Sequence, residues 1–287
     1  LDFLNDGLWM KSDKVMLGGV TASNLAAAIP DYIKEKLIID ADINGPGKAV
    51  GPYFKETPLH DSLGSALDEL QIDGDVSARL HLDIPLDGEM TLAKGEVALK
   101  NNSLFIKPIS STLKNLNGKF SFENGNLKSE PLTATWFNQP LNVDFTTTEG
   151  AKAYEVAVNL NGNWQPSRTG VLPEQLNDAL RGNVTWKGDV GVTLPYRGEA
   201  SYKVNLAGDL GNIASTLPPP LDKRAGHALP VKVKVDGNLH SFELTGNAGA
   251  NNHFNSRWLL GSKLALDRGI WTSESKTTPP LPEQSGL

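Results

Sequence analysis

Val76, Ala78, Leu80, Leu82 and Ile84 alternate with Ser77, Arg79, His81 and Asp83. The same period of two runs through Tyr154, Val156, Val158 and Leu160, and through Tyr202, Val204 and Leu206. It returns in Val231, Val233 and Val235 around Lys232 and Lys234. An apolar residue at every second position turns one side of an extended strand away from water and leaves the other wet. The pattern predicts antiparallel sheet from Val76 onward. Residues 1–75 read differently. "TASNLAAAI" predicts a short helix capped by Thr21 or Ser23, and Pro30 stands where the first helical residue of "PDYIKEKL" would. In "LHDSLGSALDEL", Leu59, Leu63, Ala66, Leu67 and Leu70 share one helical face.

The turn chemistry agrees with a sheet. Asn124-Gly125 between "KFSFE" and "NLKS" is a strong two-residue hairpin signal. "KNNS", Lys100 to Ser103, reads as a second hairpin joining "EVAL" to "LFIK". Helical inserts are predicted at "LPEQLNDAL" (Leu172 to Leu180) and "LGNIASTL" (Leu210 to Leu217). Two phrases also recur. "GNLKSEPLT" from Gly125 returns as "GNLHSFELT" from Gly237, with six of nine positions identical, 112 residues later. "LDELQIDGDVS" is echoed by "LNDALRGNVT", which places Val76 and Val184 108 residues apart. Reuse of turn residues in β-proteins is the plainer reading. Two phrases at nearly one offset point to a degenerate duplication. On that reading residues 1–75 are a mixed helix and strand segment, 76–183 a first β repeat and 184–287 a second. The repeated phrases are then expected at corresponding corners.

Composition narrows the classes. With 39% hydrophobic and 21% charged residues among 287, the chain is an ordinary globular one with enough apolar surface for a core. Its net charge of −6, with no basic block, provides no electrostatic footprint for nucleic acid. No apolar run reaches the roughly 18 residues of a membrane-spanning helix. The chain opens in mid-phrase at Leu1 and stops in "TTPPLPEQSGL", so it reads as part of something longer, with any targeting segment outside it. Cysteine is absent, which removes disulfides, Cys-zinc sites and thiol catalysis.

The motifs that carry chemistry fail on inspection. Asp40, Asp42, Asn44 and Gly45 in "DADING" match the first half of a calcium loop, but its twelfth position is Gly51, where a bidentate Glu is required. These residues alternate with Ile39, Ala41 and Ile43, as in a strand. "GPGKAVG" lacks the ending of a phosphate loop and runs into Pro52. His60, His81, His227, His240 and His253 are dispersed, with no pair at metal-ligand spacing. No Gly-x-Ser-x-Gly elbow occurs, and no pair of carboxylates is singled out. The expectation is a non-enzymatic protein with no metal and no cofactor.

Three long stretches carry a resemblance. "TPLHDSLGSALDELQIDGDVSARLHLDIPLDG" (Thr57 to Gly88), "NLNGKFSFENGNLKSEPLTATWFNQPLNVDF" (Asn115 to Phe145) and "NNHFNSRWLLGSKLALDRGIW" (Asn251 to Trp271) resemble the AsmA-like proteins of two-membrane bacterial envelopes. The likeness lies in phrasing and hairpin pattern and covers most of the chain. It implies a mainly β fold with short helices, in which a long curled antiparallel sheet of degenerate repeats forms an open apolar groove. It also implies a periplasmic body anchored in the inner membrane by a segment outside this stretch. The implied role is phospholipid transport between inner and outer membranes, with phospholipid and other envelope proteins as partners. The groove lining would then be Leu80, Leu82, Ile84, Val156, Val158, Leu160, Val204, Leu206, Val231 and Val233. Two other readings stay open, the first of which gives the same alternation. One is a structural or adhesive β-sandwich with a sealed core; the other is a carbohydrate-binding module using Trp136, Trp186 or Trp258.

Overall fold

A computed structural model describes residues 2–4, 7–49, 69–170, 172, 174–218, 222–261, 263–273, 275–284 and 286. Among the described residues the fold is mainly β, with eighteen strands in one hydrogen-bonded sheet and two more that pair with each other. By internal contacts the chain divides into two compact units, Leu1–Ala134 with Asp144–Glu149, and Thr135–Val143 with Gly150–Leu287.

The first unit begins with β1 (Asp2–Leu4), β2 (Gly7–Leu17), β3 (Val20–Ile29) and β4 (Lys36–Pro46). It continues with β5 (Leu70–Asp73), β6 (Asp75–Pro85), β7 (Leu92–Ile106), β8 (Ser111–Glu123) and β9 (Asn126–Ser129). Strands β2, β3, β4, β6, β7, β8 and β9 pair antiparallel in that order, and β5 pairs with the far end of β7. Among the described residues Ala22, Ala27, Ala41, Val76, Leu99, Leu113, Leu116, Leu132 and Ala134 are its buried apolar residues. The Asn124-Gly125 hairpin is present: Glu123 faces Asn126, and Asn124 sits at φ 50° with its amide oxygen accepting from the Ala93 N–H at 2.8 Å.

Three local expectations are corrected here. "TASNLAAAI" is not a helix but strand β3, paired on both sides with β2 and β4. Its alanines have helical propensity, but two neighbouring strands outweigh that weak preference. A bulge at Asn24 (φ 51°) inserts one residue, so that Ser23 faces Asp42 while Ala26 faces Asp40. The extra residue brings Ala22 and Ala27, five positions apart, to bury together. "PDYIKEKL" forms a single 3-10 turn, Tyr32–Lys34, capped by Asp31 and ended by Glu35 at φ 46°, before β4 begins. "KNNS" is no hairpin, because β7 runs straight through it with register shifts at Asn102. Asn102 is fully buried, accepts from the Lys100 N–H at 2.7 Å and donates to the carbonyls of Asp73 and Asp75 at 3.2 and 3.0 Å. "LFIK" therefore pairs with β5 instead of folding back on "EVAL". The helix expected over "LHDSLGSALDEL" lies outside the described residues.

The chain passes between the units through β10 (Leu132–Trp136) and β11 (Gln139–Glu149). The second unit then runs through β12 (Ala153–Trp164), helix α1 (Glu174–Ala179), β13 (Leu180–Arg181), β14 (Val184–Pro195), β15 (Ser201–Asp209) and β16 (Ala214–Ser215). It ends with β17 (Pro230–Asn238), β18 (Ser241–Ala248), β19 (Asn252–Leu260) and β20 (Leu264–Thr272). Strands β12, β14, β15, β17, β18, β19 and β20 pair antiparallel in that order. The insert at "LPEQLNDAL" is helix α1; the one at "LGNIASTL" shortens to a 3-10 turn, Leu210–Asn212, followed by β16.

The two units share one corner. In the first, β4 leads to a 3-10 turn (Gly47–Ala49), then β5, then Gly74 at φ 94°, and β6 returns along β4. In the second, β12 leads to a 3-10 turn (Pro166–Arg168), then α1 and β13, then Gly182 at φ 110°, and β14 returns along β12. Strand β5 pairs beyond the Asn102 bulge of β7, and β13 pairs with β16 beyond the turn that ends at Asn212. Both glycines are packed so closely that an added Cβ would strike Asn102 in one case and Asn212 in the other. The other repeated phrase does not mark corresponding corners. Gly125 stands in the β8–β9 turn, whereas Gly237 lies inside β17, opposite Tyr202 and Phe242.

Candidate functional site

Strand register turns the alternating residues of the second unit into rows that cross seven strands from β12 to β20. One row is Val156, Val192, Tyr202, Gly237, Phe242, Trp258 and Leu266. The next is Val158, Val190, Val204, Val235, Leu244, Ser256 and Gly269. A third is Leu160, Gly188, Leu206, Val233, Gly246, Phe254 and Trp271. A fourth, shorter row holds Gly162, Trp186, Gly208, Val231 and Ala248. At roughly 4.8 Å between strands, each full row extends about 29 Å.

These rows are apolar yet not sealed. The buried apolar residues of the second unit are Leu141, Val143, Tyr154, Ala179 and Ile213, while the valines and leucines of the rows from Val156 to Val235 stay half-buried. A cleft of about 630 Å³ opens along the third row, lined by Leu160, Gly188, Leu206 and Val233 and by polar residues that alternate with them, among them Asp189 and Asn205. Glycine keeps the third row low: a Cβ at Gly188 would meet the Leu206 methyl at 2.5 Å, and one at Gly246 the Phe254 ring at 2.5 Å. Aromatic side chains flank the aliphatic middle. Phe242 and Trp258 stack at 6.2 Å, and Trp164 meets Trp186 edge-on at 4.7 Å next to Trp136 and Phe137. Burial raises the pKa of Tyr202, the one ionisable side chain of the rows.

All seven second-unit residues expected from the sequence (Val156, Val158, Leu160, Val204, Leu206, Val231 and Val233) fall on these rows. In the first unit, Leu82 stands in a row with Met10, Ala27, Ile39 and Ala93. Leu80 lies between Ala41 and Gly95, and Ile84 faces Leu37. All three are half-buried. Sequence reading missed Val190, Val192, Leu244 and the glycines. The first three belong to strands whose alternation was open to inspection, while glycine carries no hydropathy signal for a face.

The opposite side of each strand is polar and cross-linked. Asp40 meets His81 Nδ1 at 2.7 Å, Asp42 accepts from Asn24 at 2.8 Å, and the Ser77 hydroxyl donates to Asn44 at 2.7 Å. The acidic run that resembles a calcium loop is therefore a strand face with a neighbour for each side chain. Lys119–Glu96, Thr193–Glu155 and Asn205–Asp189 continue the pattern. The Glu96 carboxylate, through its hydrogen bond and its charge, raises the pKa of Lys119. His240 meets Glu199 at 3.3 Å. Among the described residues no group of acidic or histidine side chains is placed to hold a metal, and no helix is long and apolar enough to cross a membrane.

Comparison with known proteins matches this chain over its whole length. It is 74% identical over all 287 residues to the intermembrane phospholipid transporter YhdP of Escherichia coli (strain K12), and it spans 23% of that protein's length. No solved structure matches it. The profile of the family described as YhdP protein covers residues 1–287, and the chain belongs to that family.

Proposed function

We propose that this chain is one section of a periplasmic conduit that shields phospholipid acyl chains on their way between inner and outer membranes. The observation that carries this reading is the set of in-register apolar rows that stay half-open from β12 to β20. A sealed sandwich would place those valines in its core. A tail of about sixteen methylenes costs on the order of 13 kcal/mol to expose to water, at roughly 0.8 kcal/mol per methylene. An apolar face offsets that cost without any directed bond, so a tail held there slides along the rows. The 74% identical relative, named an intermembrane phospholipid transporter, supports the substrate class. In this proposal the inner-membrane anchor lies outside this stretch, and other envelope proteins are among the contacts. No catalytic step is needed for the role.

The shared corners at Gly74 and Gly182 support a second part of the proposal, that 76–183 and 184–287 are divergent copies of one unit, each adding a length of apolar track. The test of the main proposal is a photo-crosslinking residue at position 158, read with phospholipid whose acyl chain carries an alkyne. Crosslinks at 158, and none from a probe at Asn159 on the wet side, are expected. Absence of lipid at 158 would leave a sealed β-structure as the better account.

A further inference from the structure

A second cleft, of about 420 Å³, opens at the corner where β12 ends and β14 begins, and it has a different chemistry. Arg168, Arg181, Asn183, Asn177 and Ser167 line it, with Asp178 as its one acidic residue. Neither guanidinium finds a carboxylate among the described residues. By contrast Arg79, Arg257 and Arg268 each pair with an aspartate. Both backbones are held. Arg181 pairs with Ala214 across β13 and β16, and Arg168 closes a 3-10 turn through its N–H to the Gln165 carbonyl at 2.9 Å. The corner itself does not demand arginine. At the matching corner of the first unit the glycine is flanked by Asp73 and Asp75, where the second has Arg181 and Asn183 around Gly182. The same backbone thus carries opposite charge in the two units.

We propose that this cleft binds a phosphate group through Arg168 and Arg181. A guanidinium presents paired N–H donors that match two phosphate oxygens, and two of them opposite one carboxylate leave the cleft net positive for an anion. Asn183 and Ser167 supply neutral donors at its wall. Its position adds to the argument: Gln165, which also lines the cleft, directly follows Trp164, at the end of the strand that carries Val156, Val158 and Leu160. A phospholipid whose tail lay along β12 with its headgroup at this end would place its phosphate at the cleft. Free phosphate has the same chemistry and is the other source. The site stands on the cleft alone; only its assignment to a lipid headgroup rests on the conduit reading.

The experiment titrates the isotopically labelled 287-residue chain with three probes: inorganic phosphate, dihexanoylphosphatidylglycerol below its micelle concentration, and dihexanoylglycerol. NMR follows the Arg168 and Arg181 Nε–H signals, the Trp164 indole and the Val158 and Val233 methyls. The phosphatidylglycerol is expected to shift both arginine signals and to bind the R168Q/R181Q variant about tenfold more weakly, while dihexanoylglycerol binds both proteins alike. Inorganic phosphate that reproduces the arginine shifts at equal concentration assigns the site to the free anion; failure to do so assigns it to the headgroup. Unshifted arginine signals, or equal phosphatidylglycerol binding by R168Q/R181Q, overturn the proposal. The R168K/R181K variant keeps the charge and loses the fork, so intermediate affinity is expected even if the glutamine variant folds poorly. Dihexanoylglycerol that leaves Val158 and Val233 unmoved counts against the acyl track and leaves the phosphate site standing.

Discussion

Asn102 shows how one side chain can decide a strand's course. Its amide satisfies one N–H and two carbonyls that would otherwise be stranded where β5, β6 and β7 meet. Asn102→Leu keeps the volume and removes all three bonds. The expected loss is about 3 kcal/mol, read as a lower urea midpoint at unchanged m-value. Tyr202 offers a test on the apolar side. Burial holds its folded-state pKa above the unfolded value, so it contributes stability below about pH 10 that is lost as pH rises through the folded pKa. The fall in melting temperature between pH 8.5 and 10.5 is therefore expected to be smaller in Tyr202→Phe than in the parent. A fall of equal size in both would place the phenol in water. Sequence inspection singled out neither role. Asn102 looked like turn chemistry because Asn-Asn favours positive φ, and Asn101 does adopt φ 56°, but inside a bulge.

At the scale of the element, legibility followed periodicity. Strands β6, β12, β15 and β17 were readable because each alternates strictly and keeps one wet face. Strand β3 was not, since its bulge shifts the phase between Ala22 and Ala27 and makes an extended segment imitate a helix. Removing the bulge is a direct check. Deleting Leu25 gives β3 an unbroken register on β4, with the alanines at 22 and 27 still on one face, but slips its pairing with β2 by one residue. A destabilisation of about 3 kcal/mol or more is expected by chemical denaturation. Gly182→Ala tests the shared corner in the same way. The residue sits at φ 110° with its α-carbon against the Asn212 carbonyl, so alanine meets both backbone strain and a clash. A loss of about 2 kcal/mol or more is expected, and Gly74→Ala should behave alike. By contrast Gly226→Ala, with open space around its α-carbon, has only its φ of 96° to overcome and should cost less. Cross-strand rows were beyond reach of sequence inspection, because register depends on partners dozens of residues away and on bulges such as the one between Arg257 and Trp258.

At the scale of the whole molecule, a track for acyl chains differs from a core in what a charge does to it. Val158 stands in the second row beside Val190, on a face that is apolar and only half-buried. In a sealed core Val158→Asp would bury an unpaired carboxylate and cost several kcal/mol, roughly enough to unfold a marginal domain. On an open track the carboxylate keeps part of its water, so the melting temperature should fall by no more than about 5 °C. On such a track the same charge would interrupt the lane along which a tail slides. In the full-length protein the expected result is normal accumulation with loss of phospholipid passage, and loss of the acyl crosslink at Val204, two strands along the same row. His81→Ala, on a polar face, and His240→Ala, in the turn between β17 and β18, should leave passage and crosslinking as they were. A first-unit probe at Leu82 completes the test, because a conduit needs both units to touch the tail. Crosslinks at Leu82 and Val233 from one acyl-labelled lipid are the outcome a conduit requires. Labelling confined to one unit would reduce the chain to a local lipid-binding surface, and a collapsed melt for Val158→Asp would return the rows to ordinary core.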